Sequence, residues 1–416
     1  MTSSVYGAFA HAYVSEVGAA VRRMIETGGD AAVGLMKKAI AERGPVRGFG
    51  NGGSSAIIRS VLLQLRAGHV GLPVNESMMS QAALAYWAQH DSYRWVFCRS
   101  LADDIRDVGL VVLASVSGRS ANIVETVRLC RAHGVPVLAV VGGDGSQLGP
   151  LGGVLWATGT TDQQLCEDVT LTALTLAAAA TAEPEHVPLR VRLEQHLHAL
   201  TAMDTERLGW FLEAATQAVA DAVRHRRRIY VLCPDGGPLS LAAEHFAHNV
   251  HWDAPLGVEG VRPPVVISGL SLADMSAIYN DHPDPAHGVR YQLRSASPGD
   301  VVFLLAYDSH SRTSRQAIDA AVEADAQVFL LHRDGPAPPT PGQHSQRLPP
   351  LDDFGLPCLV QTIAHMVCRT TRATLVADSE PAAKAGPSPR DLMEQDLAPL
   401  RELSNTSAVS LEGIVT

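Results

Sequence analysis

Along the first third of the chain, short apolar runs alternate with longer stretches whose apolar positions recur every three or four residues. Over residues 5–42 that helical spacing predicts two helices, interrupted at Gly28-Gly29-Asp30. Residues 45–49 read as a strand. Beyond it Ile57, Ile58, Val61, Leu62 and Leu65 make the apolar stripe of a helix closed by Gly68. A short strand over 70–74 and a helical stretch over 80–89 follow. Residues 108–114 are apolar without interruption, as in a strand buried on both faces. Ile123, Val124, Val127 and Cys130 then mark a helix, and 135–141 a further strand. Strands alternating with helices in this way build right-handed βαβ units on a parallel sheet.

The same pattern returns in the second half. After a helical stretch over 189–226 come a strand at 229–232, a loop Cys233-Pro234-Asp235-Gly236-Gly237-Pro238, and a helix striped by Ala242, Ala243, Phe246 and Val250. Residues 264–267, 301–306 and 328–331 supply further strands, with a helix over 313–324. Corresponding loops lie roughly 185 to 190 residues apart, the length of one modest domain. The expectation is an α/β chain of two tandem three-layer αβα sandwiches with parallel sheets. Domain one spans residues 1–183, domain two 184–377, and a flexible tail 378–416. The boundary falls at the polar break Ala182-Glu183-Pro184-Glu185, and the proline-rich run 335–341 reads as a stiff surface loop.

Two loops of the first half carry the candidate chemistry. Gly48-Phe49-Gly50-Asn51-Gly52-Gly53-Ser54-Ser55 and Ser115-Val116-Ser117-Gly118-Arg119-Ser120 each follow an apolar strand and precede an amphipathic helix. Glycines allow close backbone approach, and the N–H groups of a helix start converge with hydroxyls on an anion. Asn51, Gly52, Ser54, Ser55, Ser115, Ser117 and Ser120 are therefore the candidate phosphate ligands. Gly48-x-Gly50-x-x-Gly53 also matches the dinucleotide fingerprint, but Gly68-His69-Val70-Gly71-Leu72-Pro73 offers no carboxylate for a ribose, which argues against a nicotinamide site.

The loops resemble the two phosphate loops of sugar isomerase (SIS) domains, above all those of sedoheptulose 7-phosphate (phosphoheptose) isomerases. The stretch 90–99 and, in the second half, Ser276-Ala277-Ile278-Tyr279-Asn280-Asp281 and Ser297-Pro298-Gly299-Asp300-Val301-Val302 are similar to segments of the same family. The resemblance implies aldose–ketose isomerisation of a sugar phosphate, heptose-type or longer, through a cis-enediol. That chemistry needs a base near neutrality and a group to polarise the carbonyl. The family's catalytic His and Glu on the helix after the glycine loop fall here on Ser60 and Gln64, and an amide is no base. The second copy keeps His245 and His248 on its own helix and His365 later. With Glu167, or the neighbouring Asp168, these are the expected acid–base groups. In its serine loop an ungapped match puts Asp308 where a phosphate-binding serine would be, so the first copy is expected to hold phosphate and the second to offer titratable groups. Other SIS chemistry on an amino-sugar phosphate, and a non-catalytic sugar-phosphate sensor, are the alternatives.

Composition narrows the classes further. The 416 residues are 46% hydrophobic and 18% charged, with a net charge of −10, which argues against nucleic acid as partner and for a folded globular chain. The basic run 224–228 precedes a strand and reads as a solvated helix end. Six cysteines without a C-x-x-C pair suggest buried thiols. Neither a signal peptide nor a membrane span is apparent, so a cytoplasmic protein is expected, acting on a phosphorylated sugar as a homodimer. No cofactor is expected; zinc held by His245, His248 and His365, at i and i+3 on one helix and on a later one, is kept as the lesser alternative.

Overall fold

The computed structural model describes residues 5–42, 44–69, 71–75, 81–145, 148–149, 153–182, 187–269, 281–282, 284–335 and 343–379. The expected break at 183–185, the similar segment 276–280, the proline-rich loop at 336–341 and the tail from 380 lie outside the described residues. Two compact units are formed. The first is Val17–Leu197; the second is Met1–Glu16 together with the chain from His198 on.

In the first unit a parallel sheet contains β1 (Val46–Gly50), β2 (Val74–Asn75), β3 (Leu110–Ser115), β4 (Val137–Val141) and β5 (Val154–Ala157), in the order β2-β1-β3-β4-β5. Helices cover both faces. On one, Phe49, Val111, Leu113, Val137 and Ala139 pack with Val96, Phe97 and Leu101 of α4 (Val96–Leu101) and Ile123, Val127 and Cys130 of α5 (Ala121–Ala132). The other face receives α2 (Gly53–Gly68), which in turn packs on α6 (Gln163–Ala179). Every residue of β3 and β4 is buried, which is why their sequences are unbroken apolar runs.

The second unit repeats this topology. Its strands β6 (Arg228–Leu232), β7 (Val265–Ile267), β8 (Val301–Asp308), β9 (Gln327–Asp334) and β10 (Gln343–Arg347) run parallel in the order β7-β6-β8-β9-β10. One face packs on α10 (Pro285–Leu293) and α11 (Arg312–Glu323) through Val289, Leu293, Ala317 and Ile318. On the other, Phe246 of α9 (Pro238–Trp252) meets Phe303 at 4.8 Å between ring centroids, and Phe211 of α8 (Thr205–His225) meets Phe329 at 5.8 Å. A long buried helix, α12 (Leu356–Ser379), packs on α8 and α9. The duplication and both parallel sheets are thus as expected.

Several local expectations differ. α1 (Val5–Ala41) runs unbroken through Gly28-Gly29. Those glycines permit close approach: a Cβ on Gly28 would stand 2.9 Å from Trp156 Cδ1, and one on Gly29 2.6 Å from Leu189 Cδ2. The Trp156 indole N–H donates to the Met24 carbonyl at 2.5 Å beside them. The stretch 189–226 is two helices, α7 (Leu189–Thr201) and α8, parted where the Asp204 carboxylate accepts from Arg207 N–H at 3.0 Å. After α3 (Gln81–Trp87) the chain passes through a π turn, Ala88–Ser92, and a 3-10 turn, Tyr93–Trp95, before α4. Strands β5 and β10 were not expected. β10, Gln-His-Ser-Gln-Arg, has no apolar alternation and owes its form to parallel pairing with β9. Among the described residues no helix is long and apolar enough to cross a membrane, and all six cysteines are free thiols.

Candidate functional site

The chain leaves β1 for β2 on one side and returns to β3 on the other, so the crevice beyond the carboxyl ends of β1 and β3 is the switch point of the first sheet. Ligands of open parallel sheets bind at such a crevice. Both candidate loops open into it, because Gly50 pairs with Ala114 in register and each loop follows directly.

Glycine loop and serine loop are tied together by side chains. Asn51 Nδ2 donates to Asn122 Oδ1 at 3.1 Å, and Asn122 Nδ2 donates back to Asn51 Oδ1 at 2.8 Å. The Tyr93 hydroxyl donates to the same Asn51 oxygen at 2.8 Å, and Asn122 Oδ1 also accepts from Ile123 N–H at 3.0 Å. Neither Asn122 nor Tyr93 was assigned a role from sequence. Asn122 stands in the serine-loop motif, but only the fold brings it to Asn51. Gly52, the residue before α2, has φ 52°, a left-handed conformation that favours glycine. Neither N-cap residue, Gly52 or Ser120, caps its helix with a side chain; Ser55 N–H is taken by the Gly52 carbonyl and Ile123 N–H by Asn122 Oδ1, which leaves the N–H groups of Gly53 and Ser54 in α2 and of Ala121 and Asn122 in α5 for the crevice.

The hydroxyls divide by role. Ser54, Ser55 and Ser115 are buried, and Ser115 Oγ accepts from Gly118 N–H at 3.2 Å, bracing the serine loop. Ser117 is exposed and Ser120 half-buried, with Ser117 Oγ accepting from Arg119 N–H at 3.2 Å. Ser117, Ser120 and Gly52 at the crevice surface, together with the first turns of α2 and α5, can donate to an incoming anion. Neither loop contains an acidic residue. On the outer side of α5, Glu125 accepts from Arg94 Nε at 3.0 Å and Arg128 Nη1 at 2.8 Å. The Arg94 contact holds its carboxyl below the usual carboxylate range despite burial. A cleft of about 450 Å³ opens there beside Asp91, Trp95 and Cys98; it contains neither loop.

Ser60 and Gln64 both lie buried on α2. The Gln64 amide has neither its nitrogen nor its oxygen hydrogen-bonded, and Asn249, at the same place counted from the start of α9, shares that condition. Glu167 and Asp168 are buried on α6 in the same unit. In the second unit His245 of α9 and His365 of α12 are buried and their rings stand edge-to-face at 5.7 Å between centroids. His248 does not share that face. It is exposed, because the step of three residues carries it past the edge of the buried stripe of α9. The proposed zinc set is therefore split: His245 and His365 come together within this unit, and His248 points to solvent. Asp308 turns into its own loop, its carboxylate accepting from His310 N–H at 2.8 Å.

Residues 12–142 match the family model of the SIS domain. No curated protein sequence matches the chain. Among solved structures, one from Salmonella typhimurium LT2 described as a sugar binding protein aligns with 86% of this chain and 99% of its own, at 15% identity and a TM-score of 0.57. A Clostridium difficile 630 protein described as a phosphosugar isomerase aligns with 89% of this chain and 95% of its own, at 13% identity and 0.55. The tagatose-6-phosphate ketose/aldose isomerase of Escherichia coli aligns with 91% and 96%, at 14% identity and 0.53. At these identities the likeness is one of fold, and it extends over both units.

Proposed function

From a chain that carries an SIS domain over residues 12–142 and the SIS-type fold in both units, we propose that the protein is a sugar-phosphate isomerase, interconverting aldose and ketose phosphates, with a heptose or longer sugar as substrate. The observation that carries this reading is the crevice between β1 and β3, where two helix starts without an N-cap side chain and the hydroxyls of Ser117 and Ser120 converge, with no carboxylate in either loop. A phosphate dianion held there by Gly52, Ser117, Ser120 and the first turns of α2 and α5, in loops shaped by Asn51, Ser54, Ser55 and Ser115, supplies remote binding energy that aligns the carbonyl end of the sugar. The proton transfer between C1 and C2 calls for imidazole or carboxylate: Glu167 is the candidate in the unit that holds the phosphate, and His245, His365 and the exposed His248 are the candidates carried by the second unit. In this reading the protein works in the cytoplasm as a homodimer.

Gln64 favours a second reading. A neutral amide stands where the family resemblance calls for a catalytic carboxylate, which suits a sensor that binds sugar phosphate without turning it over. One experiment separates the two. Sedoheptulose 7-phosphate and tagatose 6-phosphate are incubated with the protein in D2O and followed by proton NMR. Isomerisation through a cis-enediol incorporates deuterium at the carbon that receives the proton. Saturable binding with no incorporation and no aldose or ketose product would leave the sensor standing and reject the isomerase.

A further inference from the structure

The second unit builds the same crevice and fills it with its own side chain. β6 and β8 are parallel neighbours at the second switch point, so the loop after β6 and the loop after β8 lie side by side, as those after β1 and β3 do. The loop between β1 and α2 is only Asn51-Gly52, whereas the one between β6 and α9 is Cys233-Pro234-Asp235-Gly236-Gly237. The added length brings in Asp235. Its Oδ1 accepts from Ser311 Oγ at 2.5 Å and Thr313 Oγ1 at 2.7 Å. Its Oδ2 accepts from Tyr307 N–H at 3.2 Å and Ser314 Oγ at 3.4 Å. Hydroxyls and a backbone N–H from the β8 side thus converge on a carboxylate carried by the glycine loop. That is the arrangement the first unit presents to solvent without an acid. The Tyr307 ring lies against the same glycine loop: a Cβ on Gly237 would stand 3.5 Å from its hydroxyl oxygen.

We infer that Asp235 is an internal substitute for a phosphoryl group, an autoinhibitory contact that keeps the second crevice closed. Each chain therefore takes one phosphorylated ligand, in the first unit, and removing the Asp235 carboxylate uncovers a second site for the same class of anion. A carboxylate and a phosphate dianion cannot share four donors at hydrogen-bond distance, because they repel and the donors are already committed. The duplicated topology explains why such a crevice exists in the second unit; Asp235 explains why it is silent. The loss of anion binding in this copy is thereby assigned to Asp235, since Asp308 spends its carboxylate on its own loop.

The inference rests on the proposed phosphate site only for the chemical class of the anion, and the test keeps the two apart. Inorganic phosphate is titrated into the wild-type chain, Asp235→Ala, Ser117→Ala and the double variant, by calorimetry and phosphorus NMR. The expected stoichiometries are one per chain for wild type and two for Asp235→Ala. Ser117→Ala weakens the wild-type site, while the double variant keeps the uncovered one at the affinity it has in Asp235→Ala. If wild type binds none and Asp235→Ala binds one, the reading of the first unit fails and this one stands. If Asp235→Ala binds the same number as wild type, with an unchanged melting temperature, the inference is wrong. Should Asp235→Ala fold poorly in phosphate-free buffer, phosphate has to raise its melting temperature more than that of the wild type. A response no larger than that of the wild type, in that variant and in Asp235→Asn alike, overturns the inference as well.

Discussion

A methyl group at Gly50 tests the proposed phosphate crevice directly. The Cβ of Gly50→Ala would lie 2.6 Å from both the carbonyl carbon and the oxygen of Ser54 and 2.9 Å from Ser55 N. These are backbone atoms of the first turn of α2, with no rotamer to escape into. To reach ordinary contact near 3.4 Å the turn has to retreat by roughly 0.8 Å. A charge-assisted hydrogen bond is best near 2.7 to 2.9 Å, so a retreat of that size forfeits most of one such bond. Hydrogen bonds to charged groups contribute about 1.5 to 3 kcal/mol, which corresponds to phosphate binding weaker by roughly ten- to a hundred-fold. Gly48→Ala is the matched control. Its Cβ would collide with Ile58 Cγ2 and meet Leu62 Cδ1 at 2.9 Å, side chains in the core beneath the same helix. Overpacking there costs about 1 to 3 kcal/mol of stability while leaving the loop in place. Titration calorimetry with phosphate and thermal unfolding of both variants give the comparison. Weak binding in Gly50→Ala alone supports the argument; binding within two-fold of wild type in Gly50→Ala, or an equal loss in both, refutes it.

Asn122→Ala removes the two exchanged amide hydrogen bonds that tie the loops, at about 1 kcal/mol each, so the first unit should melt roughly 4 to 8 °C lower; an unchanged melting temperature would mean that the pair contributes nothing. His332, buried on β9 with Nδ1 3.0 Å from the Asp334 carbonyl oxygen, has its pKa lowered by burial. The unfolded chain takes up that proton near the ordinary value of 6.5 while the folded chain resists it. Its stabilising contribution is therefore complete above about pH 6.5 and is lost as the pH falls below it, with a slope of at most about 1.4 kcal/mol per pH unit. Urea unfolding between pH 7.5 and 5 should show this decline, and His332→Gln should flatten it; His344, exposed but partly desolvated where its ring stacks on Phe329, is lowered in the same direction and leaves a residual slope.

Much of this fold is legible because burial on both sides leaves a strand no choice but apolar residues. β3 and β4 announced themselves in that way, as did the helix stripe of α2 and the return of the whole pattern in β6, β8 and β9. The juxtaposed glycine and serine loops were equally open to reading, since glycine, serine and a helix start are local neighbours along the chain. What tertiary structure decided depends on partners far apart in sequence. Gly28 and Gly29 look like a helix break until Trp156 and Leu189 occupy the space where side chains would be. β10 is a strand only because β9 lies beside it. His248 parts company with His245 because burial, which spacing alone does not report, selects one side of α9. Asp235 reads as an ordinary turn residue until residues 72 to 79 positions away deliver four donors to its carboxylate. Sequence patterns record which side of each segment is hidden; what a polar group is bonded to is settled only when the sheet has closed its register and brought distant loops to one edge.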